Sequence, residues 1–415
     1  MKKILLIVLF NIFVHNCRTN NLFSLFNDCR FFDHSNFDCT EYIITKNEFP
    51  LRNNKVFGGN VSFLNFSGNK KNSITIPDAQ FNNLRIQEMK ITNIVVLFIS
   101  KHAFQNVTFV EELKFYGIQS LSISSNAEEF RHLRYKLKML ELQKINHNDF
   151  SRYLSLLKML NTIEVLDMSF NNLEYIPDLQ FMNRLTVLKL GANLIKNLHI
   201  HPLGMSHLPS CGSLPKSLRN FEMWQNLLTS LNDTSIFKNL DNLEHIDFSQ
   251  NKINAIDNYA FERNNISKVY DVINFMMNPI TRIENKAFCS KMHKNSIKIK
   301  NLVMILSGSE EDKKQIVNSC IFKNSVLASL SVYAMKCDCN INFLNLENTE
   351  DIYCEQKACK NSSPSRKLFE EECENENFSC DFVKNISIFK TSSLLLLRFQ
   401  ISLLFAFYIL QLYFV

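Results

Sequence analysis

Four side chains able to bind zinc fall in one short stretch: His199, His201, His207 and Cys211, in HIHPLGMSHLPSC. Zinc takes imidazole and thiolate at tetrahedral spacing, and the separations here match no metal motif. Three prolines between His199 and Lys216 suit a surface loop instead. The chain is therefore expected to hold neither metal nor cofactor. It also lacks G-x-S-x-G, H-E-x-x-H and a P-loop, so no enzyme is expected. What remains is recognition chemistry, carried by recurrent asparagines, a run of carboxylates and the single tryptophan, Trp224.

The asparagines set the frame. Around Asn171, Asn193, Asn226, Asn251 and Asn278 the chain reads L-x-x-L-x-L-x-x-N-x-L-x-x-L, with Ile, Phe, Met or Tyr for some leucines. Their spacings are 22, 33, 25 and 27 residues, and all but the 33 lie in the range of leucine-rich repeats. Weaker copies surround them: VSFLNFSGN ending at Asn69, LRIQEMKIT from Leu84, VEELKFYGI from Val110 and LKMLELQKI from Leu137. Two more follow, IKNLVMILS from Ile299 and LASLSVYAM from Leu327. About eleven units result, over 61–335.

Each unit implies a short parallel strand. Positions 4 and 6 point inward, joined by position 1, and no unit this short closes a core alone, so neighbours must stack. The chain then turns sharply and leaves backbone groups inside. Asparagine offers two donors and a carbonyl on a short stem, so Asn69, Asn171, Asn193, Asn226, Asn251 and Asn278 are expected to form a ladder at the corners. Thr92, Ile118 and Ile145 take that place in the weaker units, where looser corners are expected. Phe237, Phe261 and Phe288 are expected to fill the opposite side.

These units resemble extracellular leucine-rich repeat proteins, chaoptin and the Toll-type ectodomains among them. The resemblance implies an α/β-type solenoid: a curved horseshoe with a parallel β-sheet on the concave face, a mostly irregular or short-helical convex side, and disulfide-bonded caps. KCDCNINFLNL, Lys336 to Leu346, resembles the family's C-terminal cysteine-rich flanking cap, placed at 336–381. The proline-tryptophan common before the C-x-C is absent. Disulfides are expected among Cys337, Cys339, Cys354, Cys359, Cys373 and Cys380, and between Cys29 and Cys39 in an N-terminal cap region, 18–60. The pairing within the C-terminal cap and the fate of Cys211, Cys289 and Cys320 stay open.

Both ends read as targeting. Lys2 and Lys3 precede an apolar run from Ile4 to Val14, a secretory signal over 1–17. A spacer, 382–393, leads to an apolar tail, 394–415, of roughly 33 Å as a helix. Small residues before a terminal apolar tail suggest a glycolipid (GPI) signal, with Asn385, Ser392 and Ser393 as attachment candidates and a membrane helix as the other reading. Asn60, Asn65, Asn106, Asn232, Asn265, Asn361, Asn377 and Asn385 head N-x-Ser/Thr sequons, which fit passage through the secretory route. The expectation is a cell-surface recognition or adhesion protein without an intracellular signalling domain. The alternative is a secreted soluble or matrix structural protein.

Positions 3, 5, 7 and 8 of each strand face outward in this frame. Position 5 runs Asn65, Glu88, Lys114, Glu141, Asp167, Lys189, Glu222, Asp247, Asn274, Val303, Ser331. Glu141, Asp167, Glu222 and Asp247, with Trp224 at position 7, form the expected concave-face site, and substitution of the outward Asp167 is expected to cost little stability. No sequon lies between Asn106 and Asn232, so these middle units would be bare of glycan. The partner expected is an extracellular protein ligand or co-receptor, with homophilic pairing open. The segment from Cys337 to Asp381 holds 11 acidic and 4 basic residues, net −7, while the whole chain is +6; this split makes no case for nucleic acid.

Overall fold

The structure is a computed structural model. It describes residues 59–68, 73–79, 81, 83–145, 153–201, 213–231, 235–284, 286–290, 292–293 and 297–307, with strand pieces at 30–33, 36–38, 316–317, 331–333 and 336–337. These residues belong to one compact unit, Met1–Cys380. The signal segment, the apolar tail, Asn69, Asn232, His207, Cys211, the attachment candidates and nearly all of both cap regions lie outside them. So do Cys29, Cys39, Cys339, Cys354, Cys359, Cys373 and Cys380, and the sequons at Asn361 and Asn377.

A thirteen-stranded sheet runs through the unit in simple chain order. After an antiparallel start, Arg30–Asp33 with Asn36–Asp38, every neighbour pairs in parallel. The strands Met139–Gln143, Val165–Asp167, Val187–Lys189, Asn220–Glu222 and His245–Asp247 make the middle of the sheet. Parallel neighbours need a crossover, and each turn supplies one on the far side. There, shorter parallel sheets form: Ser73–Ile76 with Val96–Ile99 and Ser120–Ser122, Ile176–Pro177 with Ile200–His201, and Ser230–Leu231 with Ala255–Ile256 and Arg282–Ile283. Among the described residues the α-helix Leu154–Met159 is short, and no helix is long and apolar enough to cross a membrane.

The core is one continuous layer between these surfaces. Leu113, Leu140, Leu166, Leu188, Phe221, Ile246 and Ile273 sit at position 4 of successive turns, all 0–1% exposed. On the far side phenylalanines stack turn on turn. Phe81 lies over Phe104 at 5.3 Å, Phe237 over Phe261 at 6.0 Å, and Phe261 over Phe288 at 5.7 Å. The expected filling by Phe237, Phe261 and Phe288 is what the structure has.

The corner is built twice over. One device is a left-handed residue at position 8 of every middle turn: Asn93, Gly117, Lys144, Phe170, Ala192, Gln225, Gln250 and Met277, with φ between 49° and 66°. The other is the asparagine at position 9. Each carbonyl oxygen accepts a backbone N–H from the preceding turn: Ile145 to Asn171 (2.9 Å), Leu173 to Asn193 (3.0 Å), Ile195 to Asn226 (3.0 Å), Leu228 to Asn251 (3.2 Å) and Ile253 to Asn278 (3.0 Å). Each Nδ2 donates back to that turn as well, to the carbonyls of Leu142, Met168, Leu190, Met223 and Phe248. The described asparagines therefore form one unbroken ladder.

Two expectations are corrected. In the second repeat the corner residue is Ile94, not Thr92, because Asn65 pairs with Lys90 and Thr92 with Tyr116. The isoleucine corners are also not loose. Ile94, Ile118 and Ile145 are at most 1% exposed. Where isoleucine holds the corner the strand simply runs on, to Thr92 and Tyr116. Where asparagine holds it in the Val165–Asp167, Val187–Lys189, Asn220–Glu222 and His245–Asp247 turns, the strand stops after 3 residues and the side chain carries the pairing.

Candidate functional site

Register fixes the outward face. Position 5 runs Asn65, Lys90, Lys114, Glu141, Asp167, Lys189, Glu222, Asp247, Asn274, Val303 across directly paired strands. Lys90 thus replaces Glu88, which belongs one column over beside Phe63 and Glu112. At the far end Ser331 pairs with Ile305, not Val303.

Two acidic pairs follow. Glu141 lies opposite Asp167, and Glu222 opposite Asp247, on adjacent strands. Burial pushes the Glu141 carboxyl up, Asp167 adds to the rise, and Lys114 and Lys90 oppose it. Burial likewise raises Glu222, against the pull of Lys189 at 3.5 Å, with Asp247 and Asp167 raising it further. Asp247 is raised by burial, moderated by hydrogen bonds from Ser249. Lys114 is already taken: it bridges Glu88 at 3.0 Å and Glu112 at 2.7 Å.

Not all of the column is free for a ligand. Asp167 is only 7% exposed and accepts the Ser169 N–H and a hydrogen from Gln143 Nε2, both at 2.9 Å. The expectation that its loss costs little is therefore corrected. Asp247 accepts the Ser249 N–H at 2.8 Å, and Asn274 accepts the Met276 N–H at 3.0 Å. At position 5, Asp and Asn hold the start of the corner through an Asx turn. Glu141, Glu222 and Lys189 have no such bond among the described residues.

Trp224 faces outward and is half-buried, as its register required. Its indole lies over Gly191, the position-7 residue of the preceding turn, and meets Phe170 edge-on at 5.3 Å between centroids. The aromatic strip continues along the rim. Lys144 Nζ stands 5.8 Å from the Phe170 ring and 5.0 Å from Tyr116, and Lys90 stands 5.9 Å from Tyr116 on that ring. Beside the acids, at position 3, Met139, Val165 and Val187 pair in register and are half-exposed.

Sequence reasoning reached Trp224 but missed Phe170, Gly191, Lys144 and this apolar stripe. The repeat frame places all of them on the outward face or rim, so position alone was the available signal.

Two further groups of metal-binding side chains lie elsewhere, and His207 and Cys211 of the first are outside the described residues. His199 and His201 lie 6.3 Å apart, and the ring of His201 packs on Tyr175 at 5.5 Å. Glu244, His245 and Asp271 bring three potential ligand atoms together. Arg219 answers Glu244 at 3.1 Å and Lys300 answers Asp271 at 2.5 Å, so this cluster is charge-compensated. Asn106 and Asn265 are exposed, while Asn65 is half-buried on the sheet face. Asn60 lies on the strand Gly59–Ser67. Cys289 is disulfide-bonded, which settles part of what the cysteine count left open.

Strand pairing, a left-handed corner and a backbone-satisfying asparagine ladder together define a leucine-rich repeat solenoid, a fold that presents an extended sheet face for binding. No family model matches the chain, and no curated protein matches it. Solved structures that resemble it include a TLR13–ssRNA13 complex, at 17% identity and a TM-score of 0.42 over 67% of this chain and 39% of that one. Two forms of the Drosophila Toll–Spatzle complex also match. One is 16% identical with a TM-score of 0.44 over 67% and 38% of the two chains. The other, glycosylated, is 15% identical with a TM-score of 0.37 over 67% and 42%. The chain spans about two fifths of the length of these solved chains.

Proposed function

We propose that this chain is the recognition part of a cell-surface protein, binding an extracellular protein ligand on the outward sheet face of its middle turns. The observation that carries this reading is Trp224: a half-exposed indole seated on Gly191 and Phe170, next to the Glu222–Asp247 pair. Aromatic anchors bordered by polar residues dominate binding interfaces. From the strand Leu84–Thr92 to the strand His245–Asp247, positions 3 and 5 hold six carboxylates (Glu88, Glu112, Glu141, Asp167, Glu222, Asp247) against three lysines (Lys90, Lys114, Lys189), a net of −3. That sign favours a protein with a basic surface and repels a polyphosphate.

Passage through the secretory route belongs to the same reading. A disulfide at Cys289 and exposed sequons at Asn106 and Asn265 support it. Attachment to the outer leaflet, through the apolar segment 394–415 as a GPI signal or a membrane helix, completes it. A ligand screen on cells displaying the protein tests the site: Trp224→Ala should weaken capture by tenfold or more, and full retention in Trp224→Ala and in a Glu222→Lys/Asp247→Lys variant would remove this face. A GPI-cleaving phospholipase tests the anchor. Release supports a glycolipid, resistance a helix, and protein found only in the medium the secreted alternative.

A further inference from the structure

Three stripes cross the middle turns side by side. Position 3 gives an apolar stripe, Met139, Val165 and Val187. Position 5 gives an acidic one, Glu141 and Asp167. The rim gives Lys144, exposed and cradled by Tyr116 and Phe170. Positions 3 and 5 of a strand lie about 6.6 Å apart; Lys144, at position 8, stands three residues past Glu141, beyond the end of the strand Met139–Gln143. Lys144, like Lys90 over Tyr116, differs from the other lysines named here. Lys114, Lys138, Lys189 and Lys300 all meet carboxylates, whereas Lys144 has no carboxylate partner among the described residues and is held by π-faces alone. Glu141, for its part, faces another acid, Asp167, across the strand pair.

We infer that the partner presents an extended strand or hairpin that offers, in this order along it, an apolar residue, a basic one two residues on, and an acidic one at the end that overlies the rim. A strand laid along these strands repeats its side chains at the spacing of positions 3 and 5, and its next residues reach the rim. Its apolar residue meets Val165 and its neighbours, its Arg or Lys meets Glu141 beside the buried Asp167, and its Asp or Glu meets Lys144. The basic group relieves the repulsion within the carboxylate pair, and the acidic group gives Lys144 the counter-ion it lacks. The charge order also sets the direction of docking, because a reversed segment places like charges together. This inference rests on the docking face proposed above and adds the chemistry of what occupies it.

Disulfide-cyclised β-hairpin peptides test it. One carries Ile and Arg at alternate positions of one strand and Glu three residues past Arg, at the strand's end; a control of the same composition has Arg and Glu exchanged. Each bears fluorescein, and anisotropy is measured against the full-length protein purified from cells in mild detergent, at low and physiological salt. The ordered hairpin should bind at least tenfold tighter than the exchanged one. Lys144→Glu, at an exposed position, should abolish that preference, and Glu141→Lys/Lys144→Glu should reverse it. Equal binding of the two hairpins, no binding of either, or a preference untouched by Lys144→Glu would overturn the inference. If hairpin order is immaterial while Trp224→Ala still abolishes capture of the natural partner, the docking face stands and only the stripe order falls. If order matters but Trp224→Ala leaves capture intact, the stripes stand and Trp224 is not the anchor.

Discussion

Gly191 is the seat of Trp224. A Cβ built on Gly191 would lie 2.2 Å from Cε2 of the indole and 2.4 Å from its Nε1. No side chain fits there while the indole stays where it is. The glycine has no left-handed conformation to excuse it, so its role is the close approach of a ring from the next turn.

Gly191→Ala should therefore lift the indole away from Phe170 without unfolding the solenoid. Trp224 is the only tryptophan, so its fluorescence reports the change directly. The emission should move to the red and acrylamide quenching should rise. An unchanged spectrum would mean that the ring does not rest on Gly191.

The ladder and the core should separate in stability. Asn193→Ala orphans the Leu173 N–H and takes one of two donors from the Met168 carbonyl, which keeps Asn171, at about 1–3 kcal/mol. Leu188→Ala, fully buried at the centre of the stack, should cost about 2–5 kcal/mol through the cavity it opens. Denaturant melts of the secreted protein would rank them. Equal costs would argue that the ladder is as deeply coupled as the core.

Asp167 should behave as a corner support. Asp167→Ala loses the bonds from Ser169 and Gln143, at about 1–3 kcal/mol. Asp167→Asn should recover most of that, because Asn274 makes the same turn with Met276. Were Asn no better than Ala, charge and not the turn would be what Asp167 supplies.

Acid should stabilise this face. Glu141, Glu222 and Asp247 have folded pKa values above their unfolded ones, chiefly through burial. Between the ordinary carboxylate range and the raised values, the folded state binds more protons than the unfolded one. Stability then falls as pH rises through that window, and the penalty is fully present above it. Thermal melts should show a gain on mild acidification, and Glu222→Gln with Asp247→Asn should flatten it. A slope of the opposite sign would place these carboxylates in ion pairs instead.

Arg263 should be dispensable as a charge. It is 0% exposed, donates from Nη2 to the Leu243 carbonyl and stacks 3.6 Å over Tyr270, while Nε and Nη1 are unpaired among the described residues. A buried cation so thinly served gains little from its burial. Arg263→Met should be neutral or stabilising, whereas Arg263→Ala should cost about 2–5 kcal/mol by leaving a cavity. Comparable losses in both would show that the charge itself is needed.

Much of this was legible in the residues. Leu166, Leu188 and Asn171 through Asn278 announce the turn, and Trp224 falls outward by counting. What escaped has a common cause. A register moved by two residues keeps every side chain on its own face, so LRIQEMKIT could be set two residues off, with Glu88 in place of Lys90. Only pairing with Asn65 and Lys114 decides it. Asp167 looked exposed because Gln143, which covers it, comes from the turn before. The left-handed corner carried no glycine signal at Phe170 or Lys144.

That corner has a further consequence. A left-handed residue is easiest as glycine, yet of the eight corners from Asn93 to Met277 only Gly117 is one. Each of the others holds a real side chain in a conformation costing about 1–2 kcal/mol, and the hydrogen bonds on either side keep it there. Glycine at each would make a smoother molecule with a blank margin. The solenoid instead keeps a margin on which one side chain per turn can be rewritten without disturbing the line it punctuates. Phe170 and Lys144 are two of its letters, so new specificities should arise by substitution along that edge before the core changes at all.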